Sequence, residues 1–414
     1  MSAPGTAAAP LTARAEFDRG WTVVVGGAIG AAFSISALPF YTLGVFVKPI
    51  AEATGWSREA VQLGFTVQMM VLLSVSWLWG WLVDRHGARR IALIAQVGLA
   101  AALALLPVLV KAFGLEGWYL GWALVALFGG GTGQATWTRG ISGWFDKARG
   151  GALGLALFGT GIAAVFAPPI VTNIIANQGW PMGYHLLGLS VVVAGLPLVA
   201  WLFHDAPAPT IHQRPLPGVS RSAALRDRRF WIMLAVFAFV TFGVAGIIPS
   251  LVPLLTDRGL DARTAANYAG FAGLSVMGGR IIAGFLIDRF WAPFVAVVFL
   301  AIPAFACFLL VGDALPSGPM IALAVTLVGL AAGAEFDLVA FMAGRYFGMK
   351  NYGFIYGVQL GAILAATGLA PPIFSHVHGV YGNYDPALMA AGGIFLVAPT
   401  FLLTLGRYPD FADD

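Results

Sequence analysis

Gly80-Trp81-Leu82-Val83-Asp84-Arg85 and Gly284-Phe285-Leu286-Ile287-Asp288-Arg289 are one phrase written twice, 204 residues apart. Each closes a long apolar stretch. At the same offset upstream, Gly55 answers Gly259, and the helix-starting Ser57 answers Asp261. Further along, Trp144-Phe145 corresponds to Tyr346-Phe347 at an offset of 202, and Pro168-Pro169-Ile170 to Pro371-Pro372-Ile373 at 203. The repeat is half the length of a 414-residue chain. A period this long is no solenoid unit, so the chain reads as two homologous halves in tandem.

Composition says what the halves are made of. Hydrophobic residues are 59% of the chain, charged residues 10%, and the mean hydropathy is +0.84. A soluble domain has no use for so much apolar surface, which must therefore face lipid. A spanning helix needs roughly 20 apolar residues. Twelve stretches qualify, at about 21–47, 60–83, 91–110, 118–142, 150–176, 184–203, 229–255, 264–288, 292–312, 318–344, 353–377 and 385–406. The expected fold is an all-α membrane protein with twelve transmembrane helices in two pseudo-symmetric six-helix bundles. Its parts are a tail (1–20), a bundle (21–203), a linker (204–228), a bundle (229–406) and a second tail (407–414).

With both ends placed in the cytoplasm, that side collects 16 of the 23 basic residues. The opposite side receives five, Lys48, Arg58, Lys111, Arg258 and Arg263, while Arg139 and Arg280 stay inside spans. This bias fits the positive-inside rule and accounts for the net charge of +4 without nucleic acid. The linker carries Pro207, Pro209, Pro215 and Pro217 among basic residues and has no apolar period, as a polar connector between bundles should. The first 17 residues form a small-residue Ala/Pro tail, expected to be disordered, with no cleavable signal.

Enzymatic readings find little support. No Walker loop is present, so ATP hydrolysis by this chain is not expected to drive it. Gly129-Gly130-Gly131-Thr132-Gly133 sits in a span and suits close helix packing better than a phosphate cradle. His204 and His212 lie eight apart with no cysteine nearby, poor spacing for a metal. Cys307, the single cysteine, excludes an intrachain disulfide. No cofactor or metal is expected. His376 and His378 read as interfacial.

Ionisable groups deep in spans are expensive, and function is sought among them. Glu335 and Asp337 are the acids well inside a span, and Arg280 is the matching cation. Arg280 lies eight residues before the cytoplasmic end of its helix, about 12 Å inside, and Glu335 about 15 Å inside its own. Two readings stay open. One is a structural Arg–Glu pair holding two helices together. The other has Arg280 binding an anion in a water-filled cavity while Glu335 or Asp337 titrates, since an Arg fork suits carboxylate geometry. Glu335 and Asp337 are about 200° apart around the helix, so they cannot point the same way.

Gly80-Trp81-Leu82-Val83-Asp84-Arg85-His86-Gly87-Ala88-Arg89-Arg90 resembles the signature between the second and third helices of the major facilitator superfamily. Four further blocks narrow the resemblance to the monocarboxylate transporter and oxalate/formate-antiporter group. They are Asp18-Arg19-Gly20-Trp21, Gly44-Val45-Phe46 with Gly55-Trp56-Ser57-Arg58, Arg345-Tyr346-Phe347-Gly348, and Tyr352-Gly353-Phe354-Ile355-Tyr356-Gly357. The resemblance implies one central cavity between two bundles, opened alternately to each side by rocking, and duplicated halves suit that picture. It also implies a substrate-binding Arg in the eighth helix, where Arg280 falls. Two departures matter. Animal members carry an Asp one turn before that Arg, where this chain has Val276, and a Lys in the first helix, where it has Tyr41.

The expected function is secondary active transport of small organic anions, monocarboxylates foremost, by proton symport. Organic-anion exchange and transport of larger amphipathic compounds are the alternatives. Arg280, Tyr41 and Ser76, the residue that matches Arg280 in the first half, are the expected substrate contacts. Glu335 and Asp337 are the expected proton carriers. Asp84, Arg85, Arg89, Arg139, Asp288, Arg289 and Arg345 are the expected gating residues, Arg139 bracing the Asp84 loop rather than touching substrate. The expected setting is a monomer in a cell inner membrane, with a small carboxylate, protons and the lipid bilayer as partners.

Overall fold

The computed structural model describes residues 12–145, 148–206, 218–312 and 317–409. Among the described residues, ten helices are long and apolar enough to cross a membrane. One of them, Ala88–Ser142, is two spans in one. Its first 42 residues (Ala88–Gly129) would run about 63 Å if straight, twice the hydrocarbon thickness. The chain instead folds back at Gly114, whose φ of 58° and ψ of −131° only glycine adopts readily. The first span is absent from those ten because it is broken into Ala13–Ala32 and Leu38–Thr54. Counting both corrections gives twelve spans, six per half.

The break in the first span has a local cause. Leu38-Pro39 opens the second piece, and proline at a helix start gives up a donor that would be unpaired anyway. The freed Ile35 N–H donates to Thr132 Oγ1 at 2.9 Å, so the interruption leaves no orphan there. The remaining spans are Arg58–His86, Gly150–Gln178, Trp180–Leu202, Arg228–Asp257, Ala262–Ile287, Ala292–Leu310, Gly318–Phe347, Tyr352–Tyr381 and Asp385–Leu405.

The duplication is visible in the backbone. Gly55 and Gly259 both take positive φ, 75° and 92°. Two residues on, the Ser57 and Asp261 side chains accept from Ala60 N and Thr264 N at 3.1 and 2.9 Å, each capping the helix that follows. The same Thr264 hydrogen bonding holds the Asp261 carboxyl below its ordinary range.

One expectation at the edges needs correction. The N-terminal tail is not disordered to residue 17, because the helix starts at Ala13. Thr12 caps it, Glu16 accepts from Ala148 N at 3.0 Å, and the Phe17 ring packs 5.2 Å from Phe145. Within the linker, Arg221–Arg226 is a helix capped by Ser220; residues 207–217 lie outside the described part. In the C-terminal tail, Tyr408 accepts from Ala292 N at 2.9 Å through its hydroxyl, and 410–414 lie outside the described residues.

Large apolar side chains such as Trp201, Phe166, Phe113 and Phe305 are exposed on the outer flanks of the helices, as lipid-facing residues should be. Where the bundles meet, small residues set the spacing. A Cβ on Gly161 would fall 3.0 Å from Gly273 O, and one on Gly270 would fall 2.9 Å from Val165 O. The fifth and eighth helices therefore touch backbone to backbone.

Candidate functional site

A cavity of about 400 Å³ lies between the halves. It is lined from the first half by Tyr41, Ser76, Asp84 and Arg139 and from the second by Arg280 and Glu335. All three expected substrate contacts thus share one space, which extends down to Asp84 and Arg139 at the linker end of the bundles.

The eighth and tenth helices position its charges. A Cβ on Gly333 would fall 2.1 Å from Val276 O, and one on Gly279 would fall 2.2 Å from Leu330 O. These two glycines bring the helices together, and Asp337, one turn past Gly333, comes beside Arg280. Arg280 is 7% exposed, and its Nε lies 3.7 Å from Asp337 Oδ2. That is a charge contact beyond hydrogen-bond distance. Arg280 Nη1 is buried with no hydrogen-bond partner among the described residues. A buried guanidinium donor without an acceptor is costly.

The structural Arg–Glu pair considered from sequence is not formed. Glu335 is 1% exposed and hydrogen bonds with the Thr241 hydroxyl, which also lies 2.7 Å from the Phe237 carbonyl. The partner of Arg280 is Asp337 because the two acids leave their helix on different sides. Tyr41 lies within electrostatic range of Arg280, as does Tyr356, which also senses Asp337. Tyr356 was not singled out from sequence; its place in Tyr352-Gly353-Phe354-Ile355-Tyr356-Gly357 was the available signal.

Among the expected gating residues, Arg139 Nη2 pairs with Asp84 Oδ1 at 3.0 Å. Both belong to the first half, so the pair braces one bundle rather than locking two. Arg85 lies over the Trp81 ring at 5.3 Å and Arg289 over the Phe285 ring, again in matched places. Arg89 Nη2 donates to Ala200 O at 2.6 Å, and Arg345 sits 4.8 Å from the Tyr408 ring centre. Asp288 makes no ion pair with the described residues.

Charged contacts between the halves sit at the opposite end, where sequence reasoning did not look. Asp257, ending the seventh helix, accepts from Lys48 Nζ at 2.9 Å and from both terminal nitrogens of Arg58, Nη2 at 2.8 Å. His378 Nε2 lies 3.2 Å away. Beside this cluster His376 Nδ1 meets Glu59 Oε2 at 2.9 Å. Deeper, Thr66 donates to Gly368 O at 2.5 Å and Ser375 to Gln62 Oε1 at 2.7 Å. The far end is thereby shut, while the linker end carries the Asp84–Arg139 mouth.

Among the described residues no cluster of His, Cys, Asp and Glu could hold a metal ion. Residues 29–371 match the family model of the Major Facilitator Superfamily. The chain belongs to this superfamily. It is a multi-pass membrane transporter, not an enzyme. It is similar to human monocarboxylate transporter 11, at 29% identity covering 98% of this chain and 87% of that one. It is also similar to a probable sulfoacetate transporter of Cupriavidus necator, at 23% identity covering 89% and 90%. The superfamily fold recurs in a bacterial homolog of the human lysosomal transporter Spinster, solved in an inward-facing, occupied conformation. That likeness has a TM-score of 0.65 at 17% identity and covers 93% of this chain and 94% of that one.

Proposed function

We propose that this transporter carries small organic anions, with a monocarboxylate as the cargo and a proton as its companion. The observation that carries the reading is Arg280, a buried guanidinium at the cavity with an unused donor and only a loose contact to Asp337. A substrate carboxylate accepts from the guanidinium, and the Tyr41 hydroxyl donates to the same group from the other half. A ligand held by both halves favours the state in which they close around it. Ser76, whose hydroxyl donates to Leu73 O at 3.0 Å, contributes a third polar contact once that hydrogen turns to the substrate.

Charge counting supports the proton. Arg280 and Asp337 are neutral together, and a bound carboxylate adds one negative charge. Like charges about 4 Å apart at an effective dielectric of about 20 repel by about 4 kcal/mol, roughly a thousandfold in affinity. A proton on Asp337 removes that cost, and one on Glu335 lowers the negative charge of the same cavity. Glu335 has a ready use for one. The Thr241 hydroxyl has a single hydrogen, and with it on Phe237 O a carboxyl proton completes the contact to Glu335.

The basic bias supports a cytoplasmic linker side, and in that orientation the conformation with its far end shut faces inward. Asp257 and its partners form the outer gate in this reading. Proteoliposomes test it. An inward pH gradient should drive uptake of a labelled short carboxylate, and Asp337→Asn or Glu335→Gln should remove the pH drive while leaving counterflow exchange. Acceleration by internal anion with no response to pH would replace symport by exchange.

A further inference from the structure

We infer that the cargo is an amphipathic monocarboxylate, with an aryl or medium alkyl tail, rather than a short hydrophilic acid. The inference rests on the Arg280 carboxylate site proposed above. It is carried by what stands next to that site. Tyr41, in electrostatic range of Arg280, is followed by the Phe40 ring at 5.1 Å between centroids, and Phe40 by the Phe65 ring at 6.0 Å. Phe40, Phe65, Met69 and Leu72 all line the cavity. Moving away from the cation, the wall therefore changes from polar to apolar along the first and second helices.

A short hydrophilic acid fills little of a cavity of about 400 Å³, a size suited to drug-sized ligands. It would leave the partly exposed Phe40, Phe336, Leu360 and Leu364 of the lining against water. An apolar tail removes that water, and the gain grows with the area covered. The rest of the lining argues against other anions. The second cavity arginine, Arg139, already faces Asp84 at 3.0 Å, so a second carboxylate finds no unpaired guanidinium along the described lining. For a zwitterion, Asp337 is shared with Arg280 and Glu335 is engaged by Thr241.

Binding to the purified full-length protein tests this by calorimetry with acetate, butanoate, hexanoate, 3-phenylpropanoate, 3-phenylpropanamide, succinate and L-phenylalanine. Affinity should rise about fourfold per added methylene from acetate to hexanoate. 3-Phenylpropanoate should bind at least tenfold tighter than its amide, succinate or L-phenylalanine. Phe40→Ala should compress the ratio between 3-phenylpropanoate and butanoate by about tenfold. Equal affinity for all the straight-chain acids would overturn the amphipathic cargo yet leave the Arg280 site intact. Preference for L-phenylalanine or succinate would overturn it in favour of a zwitterion or a dicarboxylate. Binding that ignores the carboxylate and persists in Arg280→Ala would remove both readings.

Discussion

Replacing Asp257 by Asn should release the far end of the transporter. Asp257 is the single acid on which Lys48 and Arg58 of the first half and His378 of the second converge. The side chains of Asp257, Lys48 and Arg58 are 25%, 28% and 20% exposed, so water screens each pair and a surface value applies. At about 0.5–1 kcal/mol for each pair, losing Lys48 and Arg58 removes about 1–2 kcal/mol from the closed state. The two cations then lie together without an acid between them, which pushes the same way. A shift of that size changes the closed-to-open ratio about 5- to 30-fold. Spin labels at Glu52→Cys and Arg263→Cys, exposed at the far ends of the two halves, would report it in a Cys307→Ala background. Double electron–electron resonance in lipid should show a longer-distance component in Asp257→Asn that is minor in the parent. High salt should move the parent the same way, because screening weakens the pairs. A distance distribution unchanged by both substitution and salt would refute the argument that this cluster holds the far end shut.

Other outcomes follow from single contacts. Gly114→Ala should cost about 1–3 kcal/mol, since its added methyl meets nothing within 4 Å and the penalty lies wholly in the backbone; thermal unfolding in detergent measures it. Arg139→Ala should change stability by less than about 1 kcal/mol, because its pair with Asp84 is about two-thirds exposed; the same melt checks this. Glu335→Gln should leave the protein folded, as the amide can still hydrogen bond with Thr241, and should abolish accumulation driven by a pH gradient. Normal accumulation in that variant would assign the proton to Asp337.

Much of the architecture was legible because it depends on patterns that repeat. The paired Gly55 and Gly259 take the same left-handed turn, and Ser57 and Asp261 cap the same helix start. Apolar length placed the spans, yet it could not see the break in the first. Leu38-Pro39 marks where it falls, but the bond that satisfies the freed Ile35 N–H comes from Thr132, 97 residues away. Nor could it find the helical start at Ala13, which is tied down through Glu16 and Phe17 to the loop after the fourth span. In the cavity, residue type and depth singled out Arg280, Glu335 and Asp337. Which acid meets Arg280 depends on helix rotation, and that is set by the contact of Gly333 with Val276 O. The far-end cluster left no local trace, since the partners of Asp257 come from positions 48, 58 and 378. Its one signal was that two of the few basic residues on that side lay close together, at Lys48 and Arg58.

The central claim is that Arg280 holds the carboxylate of the cargo. Uptake of a labelled monocarboxylate into proteoliposomes, compared among wild type, Arg280→Lys and Arg280→Ala, tests it most directly. Each protein should first be shown to elute as a folded species. Losing a buried charge contact costs about 2–5 kcal/mol, so uptake by Arg280→Ala should fall at least thirtyfold. Arg280→Lys keeps the charge but loses the planar fork, and should fall between the two. Wild-type uptake by folded Arg280→Ala would contradict the account.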